Sequence, residues 1–173
     1  MTKQEFLAAA ARAAVAVSRG SGFPPGITAA QAALESNFGQ SRLSLHAHNY
    51  FGIKAHGNFP RVHFVTCEHA WGSDVHVCAE FALYTSMEEC FADRDRIIAT
   101  VACYTGARAS RSDPETFARA LAEHWATDPQ YAEKLLSVYR DNHLDELDRK
   151  FVNSSETQPQ AAAFTAGGAP TLK

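Results

Sequence analysis

The sequence lacks any apolar run approaching the ~18 residues that a membrane-spanning helix needs, so no segment reads as a transmembrane span. It has no block of five or more basic residues, and its formal net charge is −3. Neither feature gives the electrostatic footprint of a nucleic-acid partner. The four cysteines, Cys67, Cys78, Cys90 and Cys103, contain no CxxC pair, which argues against zinc held by thiolates. Eight histidines are present, with His46 and His48 as an HxH and His56, His63, His69 and His76 scattered beyond it. No third ligand accompanies the HxH at a recognisable spacing, so neither a metal nor a cofactor is expected. Internal repeats are absent as well.

What is there is an ordinary globular balance, with 46% hydrophobic and 20% charged residues in a chain of 173. One domain over residues 1–152 is expected. From 153 to 173 the chain turns to "SSETQPQAAAFTAGGAPTLK"-type composition, poor in large apolar residues, and reads as a flexible tail. The opening "MTKQEFLAAAARAAVAVSRG" has the charge and alanine content of a weak signal peptide. Glu5, Arg12 and Arg19 interrupt it, while Phe6, Leu7, Ala10, Ala13, Ala14 and Val17 recur at helical spacing. It reads as an amphipathic first helix, with no convincing leader.

Further along, "GSGFPPG" (20–26) reads as a loop and a helix follows over about 28–36. "HAHNYFGIKAHGNF" (46–59) reads as mostly irregular. "RVHFVTCEH" and "VHVCAEFALY", separated by "AWGSD", predict a hairpin with Trp71 and Gly72 in its turn. Helices are expected over 86–102 with Ser86 as cap, and after Asp113-Pro114 and Asp128-Pro129, each pair an N-cap followed by N1 proline. Asp113 and Asp128 are therefore assigned no catalytic role. "HLDELDRKF" predicts a last short helix. The architecture is mainly α, an α+β arrangement of a helical body with a small β-hairpin lobe. Cys67 and Cys78 flank the hairpin and are a candidate pair; four buried free thiols is the alternative. Cys90 and Cys103 flank one helix, about 20 Å apart at ~1.5 Å per residue, too far to pair.

One position resists a purely structural reading. Glu35 closes the alanine-rich helix, where the negative end of the macrodipole disfavours a carboxylate. A helix end, the neighbouring Phe38 and Phe51, and a desolvated groove would all keep such a group protonated, as a general acid requires. Glu68, near the tip of the hairpin's first strand, is the candidate second carboxylate that glycoside hydrolysis commonly uses, with Asp74 as an alternate.

Read together, "AALESNFGQS", "NYFGIKA", "VTCEH" and "ATDPQYAEKL" resemble, in order, the ALESGWG, NLFGIKA, TTEY-like and GYATDPxYAxKL motifs of the glucosaminidase family of glycoside hydrolases. That family includes flagellar peptidoglycan hydrolases and autolysins. The resemblance covers roughly residues 4–147. It implies a lysozyme-like helical domain with a β-lobe, and an endo-β-N-acetylglucosaminidase cutting the GlcNAc-β-1,4-MurNAc bond of peptidoglycan. Glu35 matches the general acid and Glu68 the second carboxylate. Asn49, Phe51, Gly52, Ile53 and Lys54 match the segment that shapes the sugar groove, where Gly52 would permit close backbone approach.

Two positions depart from the family pattern. Phe38 stands where the family has Trp and keeps an aromatic surface. Trp125 replaces the GYATDP tyrosine, keeping an aromatic face and one N–H donor but no hydroxyl. Tyr131 is expected to be a helix-packing residue near the groove, not a substitute for that hydroxyl. The alternatives are a muramidase or lytic transglycosylase of the same fold, and a non-catalytic cell-wall-binding module. Peptidoglycan lies outside the cytoplasmic membrane. Action in the periplasm or cell wall would then need export by lysis or a dedicated secretion system, with export machinery or an immunity protein as possible partners.

Overall fold

Thr2 and Glu5 open the fold with a reciprocal cap: the Thr2 hydroxyl accepts from the Glu5 N–H, and the Glu5 carboxylate accepts from the Thr2 N–H. The computed structural model describes residues 1–70 and 73–156, and the side chains of these apart from 66–70, 73–77 and 154–156. The capped helix, α1 (Lys3–Ser21), buries Phe6, Ala10, Ala13, Ala14 and Ser18, much as its spacing predicts.

The second helix, α2 (Pro25–Ser36), begins three residues earlier than expected, because Pro25 is used at N1, where a missing N–H costs nothing. Every residue from Pro25 to Ala33 is buried. A helix buried on all sides must be built from small residues if its neighbours are to approach, and Ala29, Ala30, Ala32 and Ala33 are wholly inaccessible. It packs against α1 and against α6 (Pro114–Trp125), α7 (Tyr131–Asp141) and α8 (Asp145–Glu156).

Burial leaves the ends of α2 without water, and each is satisfied from elsewhere. At the start Pro24 offers no side-chain cap. Asp148 of α8 supplies it, accepting from the Gly26 N–H at 2.7 Å and from the Tyr139 hydroxyl at 2.8 Å. The approach is so close that a Cβ on Gly26 would lie 2.3 Å from the Leu144 carbonyl oxygen. At the other end Asn37, Phe38 and Gly39 all have positive φ, at 50, 54 and 74°. Ser36 staples this reversal: its hydroxyl donates to the Ala32 carbonyl at 2.6 Å and accepts from the Gly39 N–H at 2.8 Å. Gly39 has two reasons to lack a side chain, its φ and the Phe6 ring 2.6 Å from where a Cβ would stand.

After a short helix absent from the sequence reading, α3 (Arg42–Ala47), the chain enters the FGIK loop and then the hairpin of β1 (Arg61–Ala70) and β2 (Ser73–Ala82). The strands pair antiparallel, with Arg61 opposite Ala82 and Glu68 opposite Val75. The lobe is anchored at its base. Tyr84 donates to buried Asp93 at 2.7 Å, and Arg96 donates to the same carboxylate. The remaining helices are α4 (Met87–Thr100), capped by Ser86, a 3₁₀ turn at Ala102–Tyr104 and α5 (Thr105–Ala109); the last two are not foreseen from the sequence.

Three expectations need correction. Asp128 does not cap a helix starting at Pro129. It accepts from the Gln130 N–H in a turn, and α7 starts at Tyr131. Cys78 is free, so the Cys67–Cys78 pair does not form; nor are the thiols uniformly buried, since Cys78 and Cys103 are exposed and only Cys90 is buried among those described. Burial pushes the Cys90 thiol up to about 12. The last helix runs to Glu156, past residue 153 where the expected tail begins. Residues 157–173, like the hairpin turn at Trp71 and Gly72, lie outside the described residues.

Asp148 has a consequence for stability. Burial raises its carboxyl to about 6 from an ordinary 3.8, against the opposing donors from Gly26 and Tyr139. With the folded value raised, its contribution is fully present below pH ~4 and is lost as pH rises through about 6, a span worth about 3 kcal/mol. Thermal unfolding from pH 4 to pH 8 should therefore show the Tm of Asp148→Asn gaining steadily on that of the wild type. A constant difference would contradict the raised value.

Candidate active site

Glu35 lies one residue before the end of α2, partly buried, where the reversal at 37–39 turns the chain away from it. Two side chains converge on one of its oxygens. The Tyr131 hydroxyl donates to Oε1 at 2.5 Å and the Trp125 indole N–H donates to the same atom at 3.2 Å. Among the described residues, Oε2 has no hydrogen-bond partner. Burial raises the Glu35 carboxyl above the usual carboxylate range, opposed by the donors from Tyr131 and Trp125. Desolvation is the larger effect, so the site favours the protonated form more than water does.

Tyr131 adds a contact to the expected packing role. It is buried, as a packing residue would be, but its hydroxyl is bonded to the acid. The acid thus keeps a phenol donor from position 131, the first residue of α7, where the family motif also has tyrosine, while position 125 offers an indole. Burial and the facing carboxylate push the Tyr131 hydroxyl well above its ordinary range, so it acts as a donor and not as a base.

Behind Tyr131 stand two residues that sequence reasoning missed. Gln31, one turn before Glu35 on the same face of α2, donates from Nε2 to the Tyr131 oxygen at 3.3 Å. Its Oε1 accepts from Arg94 Nε at 2.9 Å. Arg94 is completely buried; its Nη1 donates to Asp95 at 2.7 Å and to Thr28 at 3.0 Å. The guanidinium carbon sits 5.8 Å from the ring centres of both Phe51 and Phe117.

The other expected site residues divide. Phe51 is buried and meets Trp125 edge-on at 6.2 Å, which ties the FGIK loop to the site. Asn49, only 1% exposed, uses its whole amide on the backbone. Its Nδ2 donates to the Ile53 and Ala82 carbonyls at 2.8 and 2.9 Å, and its Oδ1 accepts from the Ile53 N–H at 3.0 Å. Asn49 and buried Ile53 therefore shape the loop from within. Gly52 is required by its φ of 67°, with no protein atom within 4 Å of a would-be Cβ. Lys54 lies over the Phe81 ring at 4.3 Å. Phe38 packs edge-on to Phe6 at 6.4 Å, beneath the Lys3 ammonium. Glu68 holds its place in β1, near the hairpin tip; its side chain is outside those described, as is that of Asp74.

A cleft of about 690 Å³ opens against Trp125, lined also by His124, Thr127, Asp128 and Pro129 of the ATDP turn. Another, of about 610 Å³, lies around Phe23, Tyr139 and Asp148 at the far end of α2, and no expected site residue lines it. Among the described residues, no three His, Cys, Asp or Glu side chains are grouped to hold a metal ion.

With this geometry in view, the family model described as mannosyl-glycoprotein endo-β-N-acetylglucosaminidase matches residues 11–144. The chain belongs to the glucosaminidase family. The peptidoglycan hydrolase FlgJ of Escherichia coli K12 is 35% identical over 140 residues, 77% of this chain and 44% of that protein. A probable N-acetylmuramidase of Lactococcus lactis subsp. cremoris MG1363 is 31% identical over 154 residues, 85% of this chain and 35% of that protein. The chain thus spans less than half the length of these curated relatives. The catalytic domain of the autolysin Auto from Listeria monocytogenes superposes with a TM-score of 0.77 at 29% identity, covering 84% of this chain and 87% of that one. The helical body and hairpin lobe are those of this glucosaminidase fold.

Replacing Glu35 by Gln keeps an acceptor for both donors and removes the buried charge. Because the folded value is raised, the ionised form costs stability above it and nothing below. Glu35→Gln should therefore melt at or above the wild-type Tm at pH 8 and match it near pH 4. A lower Tm at pH 8 would mean that the carboxylate is stabilising where it stands.

Proposed function

We propose that this domain is a peptidoglycan hydrolase, an endo-β-N-acetylglucosaminidase that cuts the GlcNAc-β-1,4-MurNAc bond with Glu35 as general acid. The observation that carries this reading is the carboxyl group itself. It is partly buried, displaced towards its protonated form, gripped at one oxygen by Tyr131 and Trp125, and unpartnered at the other among the described residues. A glycosidic oxygen leaving with a developing negative charge needs such a proton donor in place. Glu68, carried by the hairpin, is the second carboxylate, activating water or stabilising the cationic sugar centre. Trp125 and the cleft beside it offer an aromatic wall for a sugar face. Phe38, Asn49, Phe51, Gly52, Ile53 and Lys54 form or support the groove.

A muramidase or lytic transglycosylase is the second reading, favoured by the name of the Lactococcus relative. The non-catalytic module keeps its motive in the Trp125 departure, and the Tyr131 hydroxyl bonded to Glu35 weighs against it. The substrate implies action in the periplasm or cell wall. Delivery by lysis or a secretion system, with an immunity protein covering the groove in the latter case, extends the same reading.

Digestion of purified peptidoglycan, followed by borohydride reduction and mass spectrometry, tests it. The wild type should release fragments ending in reduced N-acetylglucosamine, at a rate that falls as pH rises through the elevated Glu35 value. Glu35→Gln should lose at least about 100-fold in rate, the scale of a general acid's contribution. Reduced or anhydro N-acetylmuramic ends would support the second reading, and undiminished release by Glu35→Gln would remove Glu35 from the mechanism.

A further inference from the structure

The hydrogen bonds behind Glu35 can run in only one direction. A guanidinium has donors and no acceptor, so the atom of Gln31 facing Arg94 Nε at 2.9 Å must be the amide oxygen. That choice turns the Gln31 NH₂ towards Tyr131, where it donates to the phenol oxygen at 3.3 Å. The phenol has a single proton, and with Gln31 donating to its oxygen, that proton points at Glu35 Oε1. Trp125, which can only donate, occupies the same atom from α6. Reversing the chain would set the Gln31 amide N–H against the Arg94 guanidinium in a fully buried site, leaving donors without acceptors. Arg94 itself is pinned by Asp95 and Thr28, and Asp95 in turn accepts from the Ser21 hydroxyl at 2.6 Å.

We propose that Gln31, oriented by Arg94, is a positioning residue that fixes the polarity of this relay, so that the acid carries and delivers its proton on Oε2 alone. The inference rests on the assignment of Glu35 as the acid. Its physical content is wider, because it concerns which oxygen of the carboxyl group is held as an acceptor. With Oε1 occupied by two donors, protonation at that atom would force one of them away. Oε2 has no such occupant among the described residues. The substrate oxygen then meets a proton in one fixed place, and no carboxyl rotation precedes transfer.

The test is a titration of the folded protein without substrate, read by ¹³C NMR of glutamate side-chain carboxyls, with Glu35 identified by its loss in Glu35→Gln. In Gln31→Glu, a carboxylate accepts from Arg94 and also from Tyr131. The phenol proton turns away from Glu35, and a second negative charge is added nearby. Glu35 should then titrate higher, by about one unit. Tyr131→Phe removes the same donor and should also shift it upward. Gln31→Met, of similar length and apolar, guards against misfolding of the charged variant; it should raise the Glu35 value by a smaller amount, because the Tyr131 hydroxyl is no longer held.

A purely structural Gln31 would change Tm and leave the Glu35 titration of Gln31→Met where it was, whereas the added charge moves it in Gln31→Glu in any case. Wild-type titration of Glu35 in folded Gln31→Met would overturn the proposal. Loss of peptidoglycan cleavage plays no part in this readout. Failure of the hydrolase reading and failure of the relay are therefore separable. If cleavage is present, its alkaline limb should move with the NMR value.

Discussion

Burying α2 on every side is the constraint from which the site follows. A helix that gives up water from Pro25 to Ala33 must be narrow, which is why Ala29, Ala30, Ala32 and Ala33 form its shaft and Gly26 its base. It must also find partners for its ends inside the protein. Asp148 answers at the start, 122 positions away in sequence, and the price is a carboxyl group raised to about 6. At the finish, three successive left-handed residues and the Ser36 hydroxyl close the last carbonyls. Asn37 and Phe38 hold that conformation without glycine's freedom, at a cost of about 1–2 kcal/mol each that the packing of Phe38 on Phe6 helps to offset. The reward is a rigid platform whose final turn presents Glu35 at a boundary between core and groove.

At that boundary two opposing effects act on one carboxyl group. Desolvation and the helix C-terminus disfavour its charge, while donors from Tyr131 and Trp125 favour it. Desolvation is the stronger effect, so the net displacement is upward. The donors nonetheless matter, because they act on a single oxygen. They moderate the shift and break the symmetry of the carboxyl group at the same time. An acid raised by burial alone would have two equivalent oxygens and no reason to present its proton in one direction.

Much of this was legible in the sequence. The apolar spacing of α1, the caps at Ser86 and Asp113, and the alternating strands each announce local structure, because local propensity and tertiary packing agree there. Glu35 stood out because a carboxylate at a helix end contradicts helix electrostatics. The misreadings have physical causes. "PPG" looks like a loop, because the proline rule for helix starts gives way to the stronger impression of two breakers and a glycine. Asp128-Pro129 has the dipeptide of a cap, but the chain spends Asp128 on a turn first. In "ADRDR", which the sequence reading passes over, Arg94 lies between Asp93 and Asp95 and all three are buried. No local pattern reveals that, since the partners that compensate Arg94 include Thr28 and Gln31 on α2, more than sixty residues earlier.

The departure at position 125 shows why a motif change is weighed best once the side chains are placed. Counting residue types, the chain has lost a phenol from the place where its family keeps one. Counting donors at the carboxyl group, two remain: the indole N–H of Trp125 from α6, and the hydroxyl of Tyr131 from the head of α7. Trp125 could not have served alone, because an indole N–H cannot accept, and a relay that runs through an acceptor would have stopped there. Tyr131 can both accept from Gln31 and donate to Glu35. It is therefore the only one of the two donors able to connect the acid to the buried arginine, and the placement of the hydroxyl on α7, in line with Gln31, is what makes that connection possible.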